Sequence, residues 1–167
     1  FLKKKINYSE HVKEQDFDKT KIIEIYKSDE LIRPLYKKNL DLFNPKDFFS
    51  KSIKKKENFY TQKIENFEIC FEIKNDIIEN LTHNIENNLD LKKMVNIFFE
   101  LVINKNIQEA ADHGVIYLEE KIRLGDNKQI SEGIILPGQA GAYFTNINDV
   151  IRNLFADYKN RTKSKFY

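Results

Sequence analysis

One cysteine, no tryptophan, three prolines and five glycines among 167 residues set the first limits. A lone thiol, Cys70, excludes an internal disulfide and any metal cage built of cysteines alone, and it fits a reducing, cytoplasmic setting. No apolar run approaches the ~18–20 residues of a membrane-spanning helix. The opening residues, FLKKKIN, lack both the apolar stretch of a signal peptide and an initiating Met, so the chain is expected to be processed or cut from something larger. No charge of one sign dominates. The 28 Lys and Arg against 26 Asp and Glu leave a formal net charge of +2, which gives no global steer toward nucleic acid. Internal repeats and Pro/Gly/Ser-rich linkers are also lacking, so one domain is expected, at ~100–200 residues per domain.

What is present is the material of a phenyl-rich core, with 41% hydrophobic residues and 13 Phe. The clearest pattern lies over residues 106–125. Ile107, Ala110, Ala111, Gly114, Val115, Leu118 and Ile122 recur at the spacing of a helix with one buried stripe. Asn106 suits its N-cap, with Glu109 three residues on, and Gly125 suits its C-terminal stop. Because Ala-Ala-x-x-Gly carries almost no side-chain volume, another element can approach this backbone closely. This segment is expected to be the central helix.

Earlier in the chain, residues 1–16 are polar and read as an arm or a frayed helix, and residues 17–26 offer a modest amphipathic stripe. Pro34 is expected to end a short helix begun after Ser28. Asn44-Pro45-x-Asp47 carries the cap, the N1 proline and the acidic first turn of another helix, with Phe48, Phe49 and Ile53 inward. Period two then takes over, for Phe67, Ile69, Phe71 and Ile73 alternate with Glu68, Cys70 and Glu72. Asn75-Asp76 tolerates positive φ and turns the chain into a second strand to about Asn84, while residues 60–64 can precede both as a third. Helical period returns over residues 89–102, on a face too wide for a surface helix. A last helix is expected to be capped near Asn146, presenting Ile147, Val150, Ile151, Leu154, Phe155 and Tyr158.

Four groups of residues carry possible chemistry. On the polar face of the central helix lie Glu109, Asp112, His113, Glu119 and Glu120. Glu109 and His113, one turn apart, can touch, and Glu120 lies on roughly the same side, so Glu109, His113 and Glu120 form a conceivable metal or proton-transfer set, with His83 and Glu86 as outside donors. The plainer reading is a solvated helix face with one His–Glu pair, and no metal is expected. The second group is the loop containing Pro137, Gly138, Gln139 and Gly141, followed by Ala142 and Tyr143. It lacks the GxGxxG and Lys-Ser/Thr signatures of phosphate binding. It is expected to pack beside Gly114, leaving a ligand or partner site between two walls poor in side chains. The third is Cys70, whose neighbours Glu68 and Glu72 raise a thiol's pKa and argue against a nucleophile. The fourth is basic charge: Lys3, Lys4 and Lys5; Lys51, Lys54, Lys55 and Lys56; and Lys159, Lys163 and Lys165 with Phe166 and Tyr167. Solvated tails are the plainer reading there, against nucleic-acid binding.

The run FEICFEIKNDIIENL, the helix after it and the junction Asn104-Lys105-Asn106-Ile107-Gln108-Glu109-Ala110 resemble the scaffold domains of iron–sulfur cluster assembly over residues 60–115. Those domains carry three cysteines, and this chain has none at a corresponding position. The resemblance therefore implies an α+β fold and not cluster assembly, and no functional residue is carried over.

The expected fold is α+β: a small antiparallel β-meander packed against a layer of three main helices, with an N-terminal helical extension. Residues 1–58 would form the extension, 59–160 the core and 161–167 a basic tail. The expected function is that of a soluble, non-catalytic ligand- or protein-partner-binding domain needing no cofactor. One alternative is an enzyme using Glu109, Asp112 and His113; another is nucleic-acid binding through the basic tails.

Overall fold

The structure, a computed structural model, describes residues 31–125 and 134–162. The architecture is α+β. Strands β1 (Phe59–Ile64), β2 (Phe67–Lys74) and β3 (Ile77–His83) form an antiparallel sheet in the order β1-β2-β3. Around it run helices α1 (Pro34–Leu40), α2 (Leu89–Val102), α3 (Ile107–Leu124), the short turn of helix α4 (Pro137–Ala140) and α5 (Ala142–Thr162).

Both hairpins turn in two residues. Asn75 and Asp76 have φ of 52° and 67°, the left-handed pair that a type I′ turn needs. That turn is locked from two sides. Ile107 N–H donates to Asp76 O at 2.8 Å, and the Tyr158 hydroxyl accepts from Asp76 N–H at 2.9 Å while donating to its carboxylate. Burial, followed by the bond to Asp76, pushes the Tyr158 hydroxyl up to about 12. Register sets Tyr60 opposite Phe71 and Phe71 opposite Leu81, so the alternation of β2 becomes one apolar sheet face.

Helix α2 is capped by Asn88, which accepts from Leu91 N–H at 3.2 Å, and is buried on most sides, as its wide apolar face predicts. Helix α3 has the cap and the stop read from the sequence. Asn106 accepts from Gln108 and Glu109 N–H, and Gly125 follows with φ 53°. It packs against α1, α2, α4 and α5, which makes it the hub of the helices. Helix α5 covers β1 as well as α3. No helix among the described residues is long and apolar enough to cross a membrane.

Three expectations about where helices begin or end need correction. Pro34 does not end a helix but begins one, at a first-turn position where its missing N–H costs nothing. Asn44-Pro45-x-Asp47 opens no helix. The Asp47 carboxylate accepts from Phe49 N–H at 3.0 Å, Lys46 N–H donates to Glu100, and Phe48 and Ser50 bond Asn96 and the edge of β3, so this backbone is committed elsewhere. Of the expected N-terminal helical extension, the described part contains α1 followed by an extended strap; residues 1–30 lie outside the described residues. The last helix starts at Ala142, ahead of Asn146, because Gly141 at φ 128° joins it directly to α4. Tyr143 and Phe144 therefore sit in its first turn, both buried.

The glycines of this joint differ in what a methyl group would meet. Gly138 has open space, whereas Gly141 holds a φ that L residues rarely adopt. Gly138→Ala is expected to stabilise by about 0.4–1 kcal/mol through the unfolded chain, and Gly141→Ala to destabilise by about 1–3 kcal/mol. Urea denaturation of the two variants checks the opposite signs.

Candidate functional site

The small strip of α3 is buried, and its occupant is α2. A Cβ on Gly114 would lie 2.9 Å from Phe98 Cε1 and 3.3 Å from Val102 Cγ1. Pro137, Gly138, Gln139, Gly141 and Tyr143 do not line the space beside Gly114, although α4 packs against α3. Tyr143 N–H donates to Leu31 O at 3.0 Å, its hydroxyl accepts from Asn88 at 2.9 Å, and the Cβ direction of Gly141 faces Leu31 O. The cleft beside Gly114 is lined by α2 and α3 and not by that loop.

Beside Gly114 a cleft of about 210 Å³ remains between α2 and α3, lined by Leu101, Val102, Lys105, Glu109, Ala110, Gly114 and Tyr117. Its floor is bare because Ala110 and Gly114 carry so little side chain. On its rim Glu109 holds two partners at helical spacing. His113 Nδ1 lies 3.1 Å from one carboxylate oxygen, and the Tyr117 hydroxyl donates to the other at 3.3 Å. The charge of Glu109 is the main reason the Tyr117 hydroxyl titrates above its ordinary range. The His–Glu pair read from the sequence thus forms, half-exposed, and Tyr117 is a third member that sequence reasoning missed although its i+8 spacing was available. Asp112 and Glu120 stand exposed. Among the described residues no three His, Cys, Asp or Glu side chains gather as a metal set, so Glu109, His113 and Glu120 do not converge.

Glu119 does not belong to the polar face. It is fully buried, receives Arg123 Nε at 2.8 Å and accepts the Tyr36 hydroxyl at 2.8 Å, tying α1 to α3. Burial, then Glu119, pushes the Tyr36 hydroxyl well above its usual range. Asn39 adds a second tie by donating to the carbonyls of Ile122 and Arg123. Acid and base at i, i+4 was the visible signal; the buried side of the stripe was not.

His83 is no outside ligand either. It is fully buried, and both ring nitrogens are taken. Nε2 lies 2.7 Å from Asn96 Oδ1, and Nδ1 accepts from Ile85 N–H at 3.1 Å. Glu86 is exposed. Cys70 is buried, with Lys54 O 4.0 Å from its sulfur, and burial first, with Glu68 and Glu72 adding, pushes the thiol up to about 11. Lys51, Lys54, Lys55 and Lys56 are exposed along the strap, and the Lys159 ammonium stands over the Phe155 ring at 4.6 Å. Lys3, Lys4, Lys5, Lys163, Lys165, Phe166 and Tyr167 lie outside the described residues.

No family model matches this chain, and no curated protein matches it. The reading of function therefore rests on the geometry of the chain itself.

The buried carboxylate supplies the first check on that geometry. Glu119→Ala removes the acceptor used by both Arg123 and Tyr36 and is expected to cost roughly 3 kcal/mol, whereas Tyr36→Phe is expected to cost about 1 kcal/mol. Chemical denaturation measures both, and equal losses would show that the carboxylate matters only through the tyrosine.

Proposed function

We propose that this chain is a non-catalytic domain that binds a protein partner, with the α2–α3 cleft as the place where one apolar side chain of that partner seats. The observation that carries this is the size and lining of the cleft. At about 210 Å³ it lies below the ~300–1,000 Å³ of usual small-molecule sites, yet it exceeds one water and has an apolar floor. Clefts of about 230 Å³ beside Leu42 and Pro45 and about 250 Å³ between β1 and α5 are slightly larger but also fall below that range, and the latter is lined largely by polar side chains. Lys105 and Glu109 put both charge signs on the rim, which suits a polar backbone around an apolar anchor. A cytoplasmic location fits the single buried thiol.

A second reading is favoured by one observation, the Glu109–His113 pair with Tyr117. Glu109 orients the imidazole as a carboxylate orients a general base, so a small substrate resting on the rim would meet a His and a phenol. Protein binding is preferred because the pair is half-exposed to water, and general bases work best where water is excluded.

Amide chemical shifts of the full chain titrated with p-cresol and with isobutanol, mimics of Tyr and Leu side chains, test the cleft. Saturable shifts confined to Leu101, Lys105, Ala110 and Gly114 are expected. Tyr117→Ala should weaken them about five- to tenfold, and His113→Ala should leave them unchanged. Shifts centred elsewhere, or none that saturate, would remove the proposed site, and hydrolytic or isomerase activity lost in His113→Ala would favour the second reading.

A further inference from the structure

The strap between α1 and β1 is anchored to β2 at its far end, where Ile73 N–H donates to Asn58 O at 3.1 Å and Asn58 donates to Glu72 at 3.0 Å, and midway along it the fastener is a histidine. Ser50 N–H donates to His83 O at 2.8 Å and His83 N–H donates to Phe48 O at 3.2 Å, so the strap adds a short parallel pairing to the edge of β3. Behind that pairing stands Asn96 of α2. Its Oδ1 accepts from Phe48 N–H at 3.2 Å and faces His83 Nε2 at 2.7 Å, while its Nδ2 donates to Asp47 at 3.4 Å. With Nδ1 accepting from Ile85 N–H, only the neutral imidazole carrying its proton on Nε2 satisfies every bond.

A second proton would have to sit on Nδ1, against the Ile85 N–H, in a site without solvent contact. The charged groups facing this ring are Asp47 from the strap and Lys92 from α2. They pair with each other at 3.5 Å, and their opposite effects on an imidazolium offset one another, which leaves burial as the larger influence. β2 contributes Ile69 opposite His83 and no charge, and Phe99 and Phe49 close the remaining sides.

We propose that residues 44–54 form an acid-released strap, held shut by neutral His83 and let go when that imidazole takes up a proton. Burial lowers the affinity of His83 for a proton in the closed form. A histidine held neutral contributes stability that is present above the unfolded value near 6.5 and is lost as pH falls below it. Release uncovers the edge of β3 and the outer face of the sheet, where Lys54 O lies over the Cys70 sulfur. An open strand edge is a ready acceptor for a further strand.

Because the chain has a single cysteine, its labelling reports the strap directly. N-ethylmaleimide labelling of Cys70 in the full chain, taken as the ratio of wild type to His83→Gln, cancels the intrinsic pH dependence of the thiol. Between pH 7.5 and pH 5.5 that ratio is expected to rise about tenfold, the linkage expected of one histidine with an open-state pKa near 6.5. A flat ratio overturns the proposal. Exchange of the Ser50 amide in wild type, measured at pH 5.5 with increasing sub-denaturing urea, stands independently of the variant. Opening of the strap alone predicts exchange faster than that of Phe71 and almost insensitive to urea. Ser50 and Phe71 exchanging with one common urea slope would mean that Cys70 is reached only by global unfolding, and the strap would not exist as a separate unit.

Discussion

The ring of Phe98 comes within 2.9 Å of where a Cβ on Gly114 would be, and the packing of the helices depends on that close approach. Removing one methyl from α3 lets α2 approach closely enough for Val102 to touch the same spot, and it keeps Phe98 wholly enclosed. Phe99, the next residue, then points toward the sheet and meets Phe48 at 5.4 Å and Phe71 at 5.5 Å, both edge-to-face. Two successive phenyl rings on α2 thus join the helical layer on one side and the sheet and strap on the other. The cleft beside Gly114 is the other consequence of the same missing volume, since side chains this small cannot fill the outer rim between two helices.

Against this apolar packing stand two buried polar groups, placed at the margins where additional segments attach. Glu119, with Arg123 and Tyr36, fastens α1; His83, with Asn96, fastens the strap. Burying such groups is costly unless every bond is made, and removing one partner costs more than the pair contributes. The arrangement therefore specifies position more than it adds stability. α1 presents Tyr36 and Leu40 to the interior, and the strap presents Phe48, so each attached segment has little apolar surface of its own to fix its register. Hydrogen bonds to a buried acceptor supply that register.

Much of the core was legible because its signals are local. The alternation of β2, the left-handed Asn75-Asp76 turn, the bounds of α2 and the Asn106 and Gly125 ends of α3 all follow from period, cap and turn chemistry. What was not legible depended on partners far along the chain. Asn44-Pro45-x-Asp47 satisfies every local rule for a helix start, yet its donors find Glu100, Asn96 and His83 at long range, and these outweigh propensity. Tyr143, Phe144 and Thr145 fell outside the expected helix because Asn146 suits an N-cap, whereas the φ of Gly141 serves as a joint between two helical pieces. The site was half legible. Gly114 lines a cleft as the bald stripe suggested, but nothing local could say that α2, and not residues 137–142, would line the other side of it.

Position around α3 explains why its charged residues meet such different fates. Glu109, His113 and Tyr117 descend one line at intervals of four, at the border of the stripe formed by Ala110 and Gly114, and that border faces water because α2 covers only one flank. Glu119 and Arg123 follow Leu118 and Ile122 by one residue each, on the flank where α1 docks, and the same helix therefore buries them. A charge on the first line is free to meet an incoming partner, whereas a charge on the second is already committed to holding the fold. The division also bears on chemistry. An acid–base pair needs a substrate held beside it and water kept away, and only the buried line keeps water out, while only the exposed line has room beside it. Neither line has both, and the proposed role in recognition rests on that division.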